Sequence, residues 1–108
     1  MKEIKAIIQT SVLDKVLLAL HGMKGLPGCT LSHVHGYQRS DAGAEEEAPE
    51  HEERIKLEIV VKDADAKKVA ESIEKNARTG SPGDGKIFIM HCEDIVSIRT
   101  GEHGERAL

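Results

Sequence analysis

A chain of 108 residues is close to the commonest domain size and can bury one core without disulfide or metal staples. Aromatic content is only 2% and the formal net charge is −4, so the core must be aliphatic, base stacking has few rings to work with, and neither a phosphate-backbone binder nor any nucleic-acid partner is expected. No apolar run approaches the roughly 18 residues of a membrane span, which argues against direct membrane insertion.

The opening "MKEIKAIIQT" contains acid and alternates in polarity, so it reads as a strand over residues 2–9 and not as a signal peptide. Ile4, Ala6 and Ile8 share its apolar face, and Ile7 makes the other face partly apolar. Ser11 is positioned to cap a helix in which Val12, Leu13, Val16, Leu17 and Leu20 recur at helical spacing. Gly22, Gly25, Pro27 and Gly28 break the chain before a second strand, "CTLSHVHGY".

Residues 40–53, "SDAGAEEEAPEHEE", hold seven acids and no base, leaving fifteen bases against twelve acids elsewhere, a charge of +3. Such a segment buries too little apolar surface to order itself and is expected to be a mobile loop, either solvated or docking a partner. The third strand, "RIKLEIVV", sets Ile55, Leu57, Ile59 and Val61 on one face. Asp63 is placed to cap a second helix whose core stripe is Ala66, Val69, Ala70, Ile73 and Ala77. A glycine-rich loop then leads into "KIFIM" and a short extended run near "IVSIR". The order β-α-β-β-α-β predicts an α+β ferredoxin-like domain, a four-stranded antiparallel sheet with both helices on one face.

Glycine-rich backbone can turn several N–H groups toward one point, and a lysine adds a full charge. "SPGDGK" supplies Gly83, Asp84, Gly85 and Lys86, although Lys86 opens a strand and not the helix that follows a Walker loop. The tail repeats the chemistry in "IRTGEHGER", with Arg99, Thr100, Gly101 and Gly104. Two phosphate-suited loops in one small domain point to an anionic ligand.

These stretches carry a resemblance. "ARTGSPGDGKIFI" resembles the B-loop of the P-II signal-transduction proteins, "IRTGE" their C-loop, and "LPGCTLSHVHGY" the strand leading into their T-loop, end to end along the chain. The resemblance implies one P-II-like domain over 1–108, with a T-loop at 40–53, a B-loop at 79–86 and a C-loop and tail at 99–108. It implies a cytoplasmic, non-enzymatic homotrimer that binds ATP, ADP or AMP, with or without Mg²⁺, in clefts between subunits. Such a regulator controls a target enzyme, transporter or regulatory protein through its T-loop. Carried over by position, Gly83, Asp84, Gly85 and Lys86 hold the phosphates, Arg39 approaches them, and Arg99 reaches across from a neighbouring subunit. Gly28 and Thr30 match positions at the adenine edge, and Ile7, Gly36 and Val60 line the cleft.

Three features depart from the family pattern. Ser40 stands where a glutamine helps hold Mg²⁺ and 2-oxoglutarate, which argues against 2-oxoglutarate sensing. Ser97 replaces a common arginine, removing one charge-assisted contact worth on the order of 1.5–3 kcal/mol. The short acidic loop has no tyrosine for uridylylation. These departures look like a divergent branch, for which the alternative is a metal-responsive module regulating a metal-efflux or transport system. His33 and His35 are its candidate ligands, alternating on one face near Cys29, since imidazole and thiolate together suit transition metals. Nucleotide hydrolysis is disfavoured, because nothing positions a water in line with a phosphate.

Overall fold

The computed structural model describes residues 1–37 and 51–108. Its elements are β1 (Lys2–Gln9), α1 (Leu13–His21), β2 (Thr30–Tyr37), β3 (His51–Val61), α2 (Asp63–Ala77) and β4 (Lys86–His91). All pairings are antiparallel and the sheet order is β2-β3-β1-β4. The βαββαβ expectation therefore holds, with β1 and β3 in the middle of the sheet.

Alternation along β1 fixes the register on both sides. Ile4 lies between Ile59 and Ile89, Ala6 between Leu57 and Ile87, and Ile8 opposite Ile55. A slip of one residue would turn this whole apolar set to the other face. Val16 and Leu20 of α1 and Ala66, Val69, Ile73 and Ala77 of α2 close over that face, forming one aliphatic core. Ala70 lies at the margin of the α2 stripe, half-buried.

Helix ends depart from the sequence reading. Thr10–Val12 form a 3₁₀ turn before α1, so Val12 occupies the cap position and Ser11 makes no side-chain cap. Asp63 is the first residue of α2 and not its cap, and its carboxylate faces the terminal ammonium of Met1 at 3.1 Å. Acids in the first turn and a base in the last still complement the dipole of each helix: Asp14 and His21 in α1, Asp63, Asp65 and Lys75 in α2. No helix among the described residues is long and apolar enough to cross a membrane.

Two boundaries also differ. β3 begins at His51, inside the expected 40–53 loop, because residues 51–53 pair with residues 35–37 of β2. The extended run near "IVSIR" is no strand. It is a turn closed by a single bridge between Val96 and His103, with Ser97 N–H donating to the Glu102 carbonyl at 2.9 Å.

The fold rests on fully buried aliphatic side chains with no polar group in the core. Replacing Leu57 by Ala leaves a cavity under both helices and is expected to lower stability by about 2–5 kcal/mol in urea unfolding.

Candidate functional site

The loop from residue 79 to 85 connects the end of α2 to the start of β4 and lies over the C-terminal end of β1. Its geometry is set by one side chain. The Asp84 carboxylate accepts hydrogen bonds from the backbone N–H groups of Thr79 at 2.8 Å and Gly80 at 2.9 Å, from the Thr79 hydroxyl, and from Gln9 Nε2 on β1 at 3.0 Å. The Asp84 N–H in turn donates to the Ser81 carbonyl at 3.1 Å. These hydrogen bonds, those of Thr79 foremost, hold the carboxyl below the ordinary carboxylate value. Both ends of Asp84 are thus committed within the chain. Its side chain braces the loop.

Gly85 explains how tightly the loop lies on the sheet. Its φ is +96°, and a Cβ there would sit 1.7 Å from the Ile7 carbonyl oxygen. Beside it a groove of about 320 Å³ is lined by Ile7, Ala77, Arg78, Gly85 and Lys86 among others. Lys86 pairs with Ile7 in register and is exposed. Among the described residues Lys86 has no ion-pair partner. A braced loop ending in an uncommitted lysine suits an anion.

Arg54 was not among the residues singled out from the sequence. Its side chain, only 15% exposed, lies where a Cβ on Gly36 would meet its Cγ at 3.2 Å and one on Gly83 would meet Nη2 at 2.9 Å. Nη2 pairs with Glu52 at 2.8 Å and Nη1 donates to the Glu53 carbonyl at 3.0 Å. Gly36 and Gly83 therefore leave room for one guanidinium between the β2–β3 hairpin and the glycine-rich loop. A glycine diagonally across from an arginine was the available signal.

The other expected residues are distributed along the face of the sheet without helices. Ile7, Gly85 and Lys86 lie together at the end of β1. Gly36, across from Glu52, lies four residues along β3 from the Lys56 that pairs with Ile7, Thr30, across from Glu58, two residues in the other direction, and Val60, across from Glu3, four. The four residues from Lys56, opposite Ile7, to Val60 span about 13 Å of strand. Gly28 precedes β2 in the same direction. Arg99 lies in the C-terminal turn, exposed, and makes no ion pair among the described residues. One chain alone does not assemble the expected set. Arg39 and Ser40 lie outside the described residues.

The C-terminal turn has its own brace. Asp94 accepts from the N–H groups of Ile95 at 2.9 Å and Gly104 at 3.0 Å, and His103 Nδ1 lies 2.8 Å from its other oxygen. The His103 contact is the leading cause that holds the Asp94 carboxyl below its ordinary value. Gly101 and Gly104 take positive φ in the same turn. His103 is thus a structural partner of Asp94, a role that no spacing along the chain indicates.

The expected metal ligands do not converge. His33 stands opposite Ile55, and no group of three or more His, Cys, Asp or Glu side chains is placed to hold a metal among the described residues. Cys29 packs against the core, and burial pushes its thiol up. His35 does have a partner, but it is His51, at 3.0 Å between Nδ1 atoms.

The comparisons agree with this architecture. The profile of the family described as nitrogen regulatory protein P-II matches residues 1–102. Nitrogen regulatory protein P-II of Rhodospirillum rubrum is 39% identical over 113 residues, covering all of both chains. Nitrogen regulatory protein P-II 2 of Methanothermobacter thermautotrophicus is 44% identical over 114 residues, covering 100% of this chain and 97% of its own. The structure of the GlnK–ATP complex of B. subtilis superposes with a TM-score of 0.86 at 34% identity, covering 99% of this chain and 96% of that one.

Two outcomes test the site. Because folding depresses Asp84, its stabilising hydrogen bonds are complete above the ordinary carboxylate value and are lost as the pH falls through the depressed one. The Thr79 and Gly80 amide resonances are expected to move across that acid range, and to stay still in Asp84→Asn. Gly85→Ala places a Cβ against the Ile7 carbonyl at a left-handed φ, and is expected to lower the thermal midpoint by at least the equivalent of about 1–2 kcal/mol.

Proposed function

The chain belongs to the nitrogen regulatory protein P-II family, whose members are signal-transduction regulators and not enzymes, and on that premise we propose that it works as a homotrimer that binds adenine nucleotide between subunits and controls a partner protein through residues 40–53. The observation that carries this reading is the Asp84-braced loop, which ends in Lys86, a lysine with no ion-pair partner among the described residues. Chemically, that loop fits a phosphate: glycine allows close approach, and Lys86 supplies a point charge that pairs with no carboxylate among the described residues. The fold neighbour at 34% identity is a GlnK–ATP complex, which supports nucleotide as the ligand class.

The split of the site supports its completion between subunits. Lys86 and Ile7 lie at one end of the sheet, while Thr30 and Val60 lie rows away. Packing copies side by side lets the far end of one chain, or its C-terminal turn with Arg99, complete the loop end of the next. Phe88, Ile89, Met90, Val96 and Ile98 are exposed apolar side chains around β4 and that turn, and they supply surface for such packing.

Lys86 would meet the phosphates and Arg99 would add a second cation from the neighbouring chain. Gly83 and Gly85 would admit the phosphates close to backbone, and Asp84 would hold the loop's shape. Ile7, Gly36 and Val60 would border the cleft, with Gly28 and Thr30 toward the base. Mg²⁺ would enter with the phosphates. Two free thiols, Cys29 and Cys92, fit a reducing cytoplasm. Nucleotide occupancy is the signal, and the partner reads it through the β2–β3 hairpin that carries residues 40–53.

Titration calorimetry with ATP, ADP and AMP, alongside light scattering for mass, tests the proposal. The expected result is a trimer with one saturable nucleotide per chain, unaffected by 2-oxoglutarate. Lys86→Ala is expected to weaken binding roughly 10- to 100-fold, the scale of one charge-assisted contact. Binding that survives Lys86→Ala unchanged would remove the phosphate cradle from the reading.

A further inference from the structure

The β2–β3 hairpin holds a feature that nucleotide binding does not use. His35 and His51 lie on the same face of the two strands, one step apart on the diagonal, since His35 pairs with Glu53 and Tyr37 with His51. Their Nδ1 atoms are 3.0 Å apart, and the rings lie 5.1 Å apart between centroids with 36° between planes. Both residues are exposed, and neither helix covers this end of the sheet. At that separation both nitrogens cannot carry protons toward each other, so at least one presents a lone pair.

We infer that His35 and His51 form a two-imidazole binding site for a first-row divalent cation, Cu²⁺ most tightly, then Ni²⁺ and Zn²⁺. Two imidazole nitrogens on a tetrahedral ion at about 2.0–2.1 Å stand about 3.3 Å apart, so the pair needs to open by only a few tenths of an ångström. Imidazole suits these ions, and the order follows their general affinity for nitrogen ligands. The cation takes the place of the proton the two rings share, and water completes its coordination. Glu53, directly across from His35, adds negative charge beside it.

The assignment differs from the one read in the sequence. His33 and His35 alternate along one strand, whereas the ring contact recorded at 3.0 Å is His35 with His51 across the strands. Cross-strand placement brings His35 to His51 instead. A cation there clasps the two strands from which residues 38–50 emerge, and a clasp across a connection of this kind restricts the chain it closes.

The test is calorimetric titration of the full chain, free of nucleotide, with Cu²⁺, Ni²⁺ and Zn²⁺ salts alone. The set comprises wild type, His33→Gln, His35→Gln, His51→Gln and the His35→Gln/His51→Gln pair. All three substituted positions are exposed, and urea unfolding without metal checks that the fold is kept. The expected result is saturable uptake in that order of affinity, weakened roughly tenfold or more in His35→Gln and His51→Gln alike and unchanged in His33→Gln. With Cu²⁺, the electron paramagnetic resonance spectrum is expected to show two coupled ring nitrogens in wild type and one in either single variant. No saturable uptake in wild type overturns the site. Uptake that persists in the double variant, or is lost in His33→Gln alone, overturns it equally, and none of these outcomes bears on nucleotide binding.

Discussion

The Asp84 carboxylate organises the functional end of this molecule. Seven residues of loop, with glycine at 80, 83 and 85, would otherwise sample many backbone states, and glycine contributes most to that freedom. One anionic side chain gathers two backbone N–H groups and a hydroxyl from the loop and ties them to Gln9 on a central strand. A surface loop is thereby referenced to the most rigid part of the sheet. The Asp84 anion is spent internally and Glu74 pairs with Arg78, so among the described residues of the groove Lys86 is the charge without an ion pair. The same division recurs at the C-terminal turn, where Asp94 is consumed by Ile95, Gly104 and His103 while Arg99 makes no ion pair among the described residues.

An acid beside a phosphate site looks wrong by charge alone. Geometry resolves it, because a carboxylate that accepts several N–H and O–H bonds has its charge neutralised by local dipoles and points away from solvent anions. Replacing that brace by an amide would remove an acceptor and add a donor where donors already point. Gly85 imposes the matching steric requirement: any side chain there would push the loop off the Ile7 carbonyl and away from the strand on which Lys86 is placed.

Most of the fold was legible because it depends on periodicity. The alternation of Ile4, Ala6 and Ile8 and of Ile55, Leu57, Ile59 and Val61, with the stripe of Val69, Ile73 and Ala77, survives into the core unchanged. Features set by tertiary partners were not legible. Ser11 looks like a cap, but the chain enters α1 through a 3₁₀ turn that needs none. Residues 51–53 look like loop by charge, yet the β2 register recruits them into β3, since cross-strand pairing ignores composition where both faces are open to water. "IVSIR" has strand propensity but leaves the sheet and turns back on itself through Val96 and His103. Asp84 was found for its place in a motif, but its internal hydrogen bonds were not legible, because a motif records which residue is present and not which lone pairs are free. Arg54 and the His35–His51 pair depend on contacts between strands that sequence spacing does not reveal.

Arg54 shows why the two halves of the site are not independent. Its guanidinium fills the space between Gly36 and Gly83 while pairing with Glu52. An anion arriving at Gly83 enters the field of that same guanidinium, and at such distances in a partly desolvated setting the attraction is several-fold stronger than in bulk water. Glu52 and the anion therefore compete for one cation. Whatever Glu52 gains or loses is felt in the hairpin that carries residues 38–50, and linkage requires the converse: a partner that fixes Glu52 against Arg54 must weaken the anion by the same free energy. With an anion in the proposed site, a single arginine between the hairpin and the loop would link occupancy of the loop to the state of the hairpin.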